Sequence, residues 1–371
     1  MTRGTITSLD VARYAGVSRS TVANILNYSE YSKYSDETRK KVFKAAEEIG
    51  YNSFSLRRAI KSPLKNIGFV VYDPEAIEFS YMGEIWKGVR KSAIRSGYEM
   101  MFCDADWKLG DEKDTELRTR KIIEMARSRL LDGLVIDKAR FNIRQLGMLE
   151  EMNIPFVCIN GRIPLDESKK EEYPDTYEIH RKAYWVCIDY EKAGFDAAMH
   201  LINLGHKRIA MLNPEFTSHL PNYGTSVIGG KIIGFKKAMK NIGQENDSDF
   251  VIETSTKNKE VVLRAVDKLM ASSQPPTAIF AADDAIAILV INYLRAKGLR
   301  VPDDISIMGF GSWAVSFVSD VELTTMSAPW AQMGEIGVEI LVELLKDKKP
   351  QSNLQILETK LVEGATVSTP R

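Results

Sequence analysis

The chain has 371 residues, 44% of them hydrophobic, and its 50 basic side chains balance 50 acidic ones. That length allows two or three domains with cores of their own. No run of about 18 apolar residues occurs, so no transmembrane helix is expected. The opening "MTRGTITSLD" lacks the apolar stretch of a secretory signal. Cys103, Cys158 and Cys187 lie far apart with no CxxC pair, the pattern of reduced cytoplasmic thiols rather than of a disulfide or zinc framework. The neutral average hides a split. Residues 1–62 carry 11 Lys and Arg against six acids, about +5, and the remainder carries 39 against 44, about −5. A basic head on an acidic body fits a chain whose head alone meets a polyanion.

Thr7 and Asp10 have capping-box spacing, with aspartate in place of Glu or Gln, so a helix is expected from about Ser8. Ala12 is small enough for a close helix crossing, Gly16 permits a left-handed turn, and Val22 and Ile25 supply the apolar face of a second helix. This is helix-turn-helix spacing. A third helix is expected in "SDETRKKVFKAAEEIGY", capped by Ser35, with Asp36 and Glu37 at its positive end and Val42, Ala45, Ala46 and Ile49 as its buried stripe. In such a unit the N-terminal residues of the second helix meet base edges in the major groove. Arg19 and Ser20 stand there, and an arginine can give guanine two hydrogen bonds. Ser18 and Thr21 offer hydroxyls for phosphate or capping, and Asn24 lies one turn further on. Thr7 and Asn27 complete the expected DNA-contacting set. The alternative makes Arg19 a phosphate contact and Ser18 a plain N-cap.

"DVARYAGVSRSTVANILN" and "YSDETRKKVFKAAEEIGY" resemble the DNA-binding head of the lactose/galactose-repressor (LacI/GalR) family, departing where Ala23 replaces a common serine. The resemblance implies that "NSFSLRRAIKSPLKN" folds into a short helix on the operator, two per dimer, with an apolar wedge in the minor groove. Ile60 stands at the wedge, with Arg58 and Lys61 at basic positions. Ser53 replaces a usual proline and Arg57 a usual alanine. A solvated linker is the alternative for this segment.

Beyond it, strand candidates "IGFVVYD", "YEMMFCD", "LDGLVID", "IPFVCIN", "RIAMLN", "TAIFAAD" and "ISIMGF" alternate with helical stretches at Gly83–Ser96, Thr115–Arg129, Glu191–Leu204, Lys231–Asn241 and Lys259–Met270. Such alternation implies parallel sheets with helices on both faces. Two doubly wound α/β lobes are expected, with ligands bound where strand C-termini face a cleft. The resemblance continues through "CIDYEKAGFDAAMHLINLGHKRIAML", "AIFAADDAIAILVINYLRAKGLRVPDDISIMGFGSW" and "LTTMSAP". It implies the two-lobed fold of periplasmic sugar-binding proteins, joined by three crossovers near 189–191, 319–323 and 345–351. The expected domains are a head at 1–52, a hinge at 53–65 and a body at 66–371. Lobe 1 would take about 66–189 and 322–346, and lobe 2 about 190–321 and 347–371.

His206 is expected to be structural. No HExxH, nucleophile elbow, metal set or GxGxxG fingerprint points to an enzyme or a cofactor. The resemblance implies a small effector between the lobes, usually a sugar or a purine. Carried over by position, the candidates are Tyr81, Met82, Asn160, Lys231 and Asp284. Lys138 and Arg162 lie just past strand ends, and Trp313, with Trp330, could stack on a sugar face. Lys231 replaces an arginine, Asn160 and Gly311 replace aspartates, and Ala328 a glutamine, which tilts the expectation from a neutral sugar toward a sugar phosphate or sugar acid. A cleft that binds nothing specific, and control by a protein partner, are the alternatives. The charged stretch Ile163–Trp185 reads either as a lid or as a solvated insertion. The expectation is a cytoplasmic homodimeric repressor of a carbohydrate-use operon that binds a pseudo-palindromic operator. A solute-binding protein has the same body, but the head argues against it.

Overall fold

A computed structural model of the chain describes residues 6–26, 33–49, 51, 65–71, 81–104, 112–128, 130–137, 143–160, 171, 177, 183–214, 227–244, 251–254, 258–311 and 320–371. Asn27, Arg57, Arg58, Ile60, Lys61, Lys138, Arg162 and Trp313, nearly all of the hinge and most of the Ile163–Trp185 stretch fall outside these residues.

The head folds as α1 (Ser8–Ala15), α2 (Arg19–Leu26) and α3 (Asp36–Glu48). The Thr7 amide and hydroxyl both donate to Asp10 Oδ2 at 2.7 Å, and Gly16 closes α1 with φ 61°. Val11, Val22, Ile25 and Val42 are fully buried at the centre of this unit, and Met148 and Met152 from the body pack against its apolar cluster.

The first lobe contains β1 (Asn66–Val71), α4 (Tyr81–Arg95), β2 (Glu99–Asp104), α5 (Glu112–Arg127), β3 (Gly133–Asp137), α6 (Ile143–Glu151), β4 (Phe156–Ile159) and β5 (Tyr184–Ile188). The second contains α7 (Tyr190–Asn203), β6 (Ile209–Pro214), α8 (Val227–Lys240), β7 (Val251–Thr254), α9 (Lys259–Met270), β8 (Ala278–Ala281), α10 (Asp284–Ala296), β9 (Ser306–Gly311) and β10 (Thr324–Ser327). The chain then returns through α11 (Trp330–Leu345) and β11 (Leu354–Leu357) to lobe 1, and ends with β12 (Lys360–Val362) in lobe 2. The sheets run β11-β5-β4-β3-β1-β2 and β12-β10-β9-β8-β6-β7, parallel throughout except for antiparallel β12. Each lobe thus repeats one strand order, and most of its central strands are fully buried, as a parallel sheet covered on both faces requires.

The second and third crossovers correct the sequence expectation. Thr324–Ser327 pairs with β9 in lobe 2, so the chain crosses between Ser327 and Trp330, not near 319–323. Leu354–Leu357 pairs with β5 in lobe 1, so the last crossing lies between Leu357 and Lys360, not near 345–351. Runs of three or four residues are too short to show a period, so these strands read as connection. The end of the Ile163–Trp185 stretch is likewise strand, since Tyr184 and Trp185 open β5.

Two pairs of helices fix the cores at close range. A Cβ on Gly88 of α4 would lie 1.9 Å from the Ala331 carbonyl oxygen of α11, and one on Gly234 of α8 1.9 Å from that of Glu191 in α7. One apolar cluster lines these helices in both lobes and continues across the crossovers.

His206 sits within lobe 2 as a structural residue. It is 1% exposed, with Nδ1 2.9 Å from Thr277 Oγ1 and Nε2 2.8 Å from the Ser368 carbonyl. A carbonyl only accepts, so Nε2 carries the proton and the neutral ring takes the Thr277 hydroxyl at Nδ1. Burial holds its pKa below the ordinary 6.5, against a smaller opposing effect of the Ser368 hydrogen bond. A depressed pKa means that the unfolded chain takes up the proton first, so stability falls as pH drops below 6.5 toward the folded value. The melting temperature should therefore decline between about pH 7.5 and about pH 5.5, less steeply in His206→Gln. An unchanged slope in that variant would remove His206 from the acid response.

Candidate functional site

The head presents the groove-facing residues on a helix held by its own caps. Ser18 Oγ accepts from the Thr21 amide at 2.9 Å and pairs with the Ser20 and Thr21 hydroxyls at 2.7 and 2.8 Å. This matches the N-cap reading of Ser18 and ties all three hydroxyls into one cap. Arg19 and Ser20 are exposed, and Arg19 Nε donates to Ser8 Oγ at 3.3 Å, which lays the guanidinium against the start of α1. Asn24 Nδ2 donates to the Tyr34 hydroxyl at 3.0 Å, which ties α2 to the connection before α3. Thr7 is exposed, and its polar atoms serve the α1 cap.

The second site lies where strand carboxyl ends of the two lobes meet, the place at which doubly wound sheets bind ligands. Asp137 ends β3 and Asn160 follows β4, both fully buried. Asn160 Nδ2 donates to Asp137 Oδ1 at 3.1 Å, and the Tyr190 hydroxyl donates to Asn160 Oδ1. Burial foremost, and then the nearby Asp137 charge, hold the Tyr190 hydroxyl well above the usual tyrosine range, so it remains a donor. On lobe 2, the close contact of Gly194 with the Lys231 backbone fixes where that lysine stands. Lys231 is 5% exposed. Its ammonium donates to the Ala282 carbonyl at 2.7 Å and lies 4.3 Å from the centre of the Phe310 ring. Asp283, the N-cap of α10, accepts from the Ala285 amide at 2.8 Å. Burial raises its pKa, and the Lys231 charge opposes that rise. Asp284 Oδ1 accepts from Thr325 Oγ1 at 2.6 Å, and Gly309 leaves room for it, since a Cβ there would be 2.2 Å away.

The structure thus gathers Tyr81, Asn160 and Lys231 around the end of β9. The Tyr81 and Trp330 rings lie 4.8 Å apart, the Trp330 indole N–H donates to the Gly311 carbonyl at 2.8 Å, and the Tyr190 and Phe310 rings are 6.2 Å apart. Asp284 flanks this group on the α10 side, whereas Met82 is 1% exposed within the apolar cluster. Sequence reasoning passed over Asp137, Tyr190, Asp283 and Phe310. Only the polar ending of "LVID" and the doubled aspartate of "AADDA" marked any of these places.

Comparison with known proteins gives matches over both parts of the chain. Residues 7–53 match the family described as bacterial regulatory proteins, lacI family, and residues 198–367 match a periplasmic binding protein-like domain. The HTH-type transcriptional repressor PurR of Vibrio vulnificus is 28% identical over 96% of this chain and 97% of its own length. A CelR transcriptional regulator in complex with cellobiose superposes with a TM-score of 0.64 at 22% identity, over 97% of this chain and 99% of that one. The lac repressor dimer bound to operator and the anti-inducer ONPF superposes equally well at 0.64, at 20% identity, over 98% of this chain and 99% of that one. Likeness at that identity speaks for the fold.

Proposed function

As a member of the lacI family of bacterial regulatory proteins, this chain is a DNA-binding transcriptional repressor and not an enzyme, and we propose that its effector is a small neutral polyhydroxylated molecule of the sugar class. The charge pairing inside the cleft carries this reading. Lys231 is engaged by the Ala282 carbonyl and the Phe310 ring beside the Asp283 carboxyl. Asp137, Asn160 and Asp284 add buried acceptors. Among the described residues, a phosphate or carboxylate brought here would meet carboxylates and an already engaged lysine, whereas hydroxyl groups would find acceptors and the Tyr81–Trp330 pair would face an apolar sugar ring. Cellobiose in the CelR complex is a ligand of this kind.

The repressor works as a homodimer whose two heads read a pseudo-palindromic operator, since protein symmetry is copied into the site. Its place is the cytoplasm, with the chromosome. Among the described residues no helix is long and apolar enough to cross a membrane. The effector acts by changing the angle between the lobes, and with it the spacing of the heads. A thermal-shift screen of the purified protein tests the effector class, because a ligand that binds only the folded state raises its melting temperature. Neutral mono- and disaccharides should stabilise the chain. Stabilisation by sugar phosphates, sugar acids or nucleobases alone would overturn the proposal.

Reading by the head has its own test. Arg19→Ala should weaken binding to the cognate operator more than to random DNA, by about 1–3 kcal/mol of discrimination. Equal losses on both DNAs would make Arg19 a phosphate contact.

A further inference from the structure

Tyr190 and Trp330 occupy equivalent places in the two halves of the body. Each is the first residue of the helix that enters a new lobe, Tyr190 after β5 and Trp330 after β10, and each is 5% exposed. Each also ties its polar tip back to the lobe just left, at the end of the neighbouring strand. The Tyr190 hydroxyl donates to Asn160 beyond β4, and the Trp330 indole N–H donates to the carbonyl of Gly311 at the end of β9. Both receiving residues have left-handed backbones, φ 50° at Asn160 and 126° at Gly311. Glycine adopts such a backbone freely, but an asparagine keeps it only where surrounding contacts compensate its cost. Each ring meanwhile faces an aromatic of the lobe being entered, Phe310 for Tyr190 and Tyr81 for Trp330. Tyr190 and Trp330 therefore each hold both lobes at once, and their partners include two cleft residues, Asn160 and Tyr81.

We propose that Tyr190 and Trp330 are paired positioning residues: two interlobe clasps that set the lobe angle and present Asn160 and Tyr81 to the effector. The inference rests on the cleft as the effector site only for the second half of this statement. Asn160 has one amide hydrogen and one carbonyl lone pair beyond its bonds to Asp137 and Tyr190. A ligand hydroxyl that engages Asn160 thus acts on a group already clamped to the crossover. The same holds for a ring laid on Tyr81, which backs onto Trp330. Binding and lobe angle are coupled because they share these two side chains, and removing a tip should release the angle while leaving each lobe folded.

The test needs no effector. Spin labels on cysteines placed at exposed Lys121 in lobe 1 and exposed Lys268 in lobe 2 of the full chain report the interlobe distance. Tyr190→Phe keeps the ring and deletes only the hydroxyl donor, whereas Trp330→Phe deletes the indole donor together with part of the buried ring, and each should broaden or shift the distance distribution. Tyr293→Phe is the control, because that hydroxyl donates to Asp267 within lobe 2 at 2.7 Å, and it should leave the distribution unchanged. Distributions identical to the unaltered chain in both clasp variants would overturn the proposal, and so would equal broadening in the control. If Trp330→Phe does not fold, Tyr190→Phe carries the test alone. Titration with a panel of neutral mono- and disaccharides, cellobiose among them, separates the two readings. Altered distances with no response to any neutral sugar would refute the sugar assignment and leave the clasps standing, whereas a sugar response with unaltered distances would do the reverse.

Discussion

Gly88→Ala is expected to destabilise the protein by about 3 kcal/mol or more, although helix propensity alone says the opposite. In the interior of an exposed helix, replacing glycine by alanine contributes roughly 1 kcal/mol of stability. Gly88 lies in the interior of α4, but its added methyl carbon would stand 1.9 Å from the Ala331 carbonyl oxygen. That neighbour is backbone at the start of α11 and cannot swing aside as a side chain could. The facing contact is as tight, since a Cβ on Gly334 of α11 would meet the Ile85 carbonyl oxygen at 2.3 Å. Separating the helices would open the apolar cluster beneath them, in which Ile85, Val89 and Met333 are fully buried. Overpacking therefore outweighs propensity. For a domain of this size the loss corresponds to a fall in melting temperature of roughly 6–12 °C. Gly234→Ala should do the same to lobe 2. Gly97→Ala is the informative contrast. It has φ 77° and nothing within 4 Å, so only backbone strain of about 1–2 kcal/mol applies. Calorimetry on the three variants decides the matter, and a Gly88→Ala protein as stable as the unaltered chain would mean that the helices do not pack this closely.

The contrast between Gly88 and Gly97 also shows what the sequence can disclose. Gly16 announced itself, because a turn between two short amphipathic helices needs a left-handed residue, and the structure has it there. Gly88 looks like any helical glycine, and its necessity comes from a helix more than 240 positions away in the chain. The same division runs through the fold. Long strands with continuous apolar runs were legible, as were α4, α5, α7, α8 and α9 to within a few residues, whereas α6, α10, α11 and the four-residue β7 were not singled out. The charged run before Tyr184 masked β5, while β10, β11 and β12 hold three or four residues each, too few to show a pattern. Two of the three crossovers were misplaced for that reason. At the cleft, Asn160, Lys231, Asp284 and Tyr81 could be carried over one at a time from the family resemblance. Phe310 and Tyr190 could not, because their meaning lies in pairings between lobes that no local pattern records. In the head, the helical position of Asn24 was legible, whereas the hydrogen bond of its amide to the Tyr34 hydroxyl, on the connection to α3, was not.

Asp284→Ala should abolish the response to effector and leave operator binding intact. Asp284 opens α10, where the unpaired backbone N–H groups of the first turn favour a negative charge. It is 1% exposed, its Oδ1 is held by the Thr325 hydroxyl, and the missing side chain of Gly309 makes its space. The carboxylate is thus fixed before any ligand arrives, in place to accept hydroxyl hydrogens from a ligand. A hydrogen bond to a charged group contributes about 1.5–3 kcal/mol, so each one lost weakens effector binding by roughly 10- to 150-fold. Loss of two would put the effector beyond working concentrations. Some stability is lost as well, about 1–3 kcal/mol, because the Thr325 hydroxyl keeps its burial and loses its acceptor. The head has an apolar cluster of its own, centred on Val11, Val22, Ile25 and Val42, so its hold on DNA should not follow that loss. Thr325→Val separates the two effects, since it removes the same internal bond and spares the carboxylate. Its melting temperature should fall while the effector response survives. Asp284→Asn retains the shape and one acceptor and should bind effector with intermediate strength. If Asp284→Ala responds to the effector as the unaltered chain does, the carboxylate is no part of the ligand site and serves only to join α10 to β10.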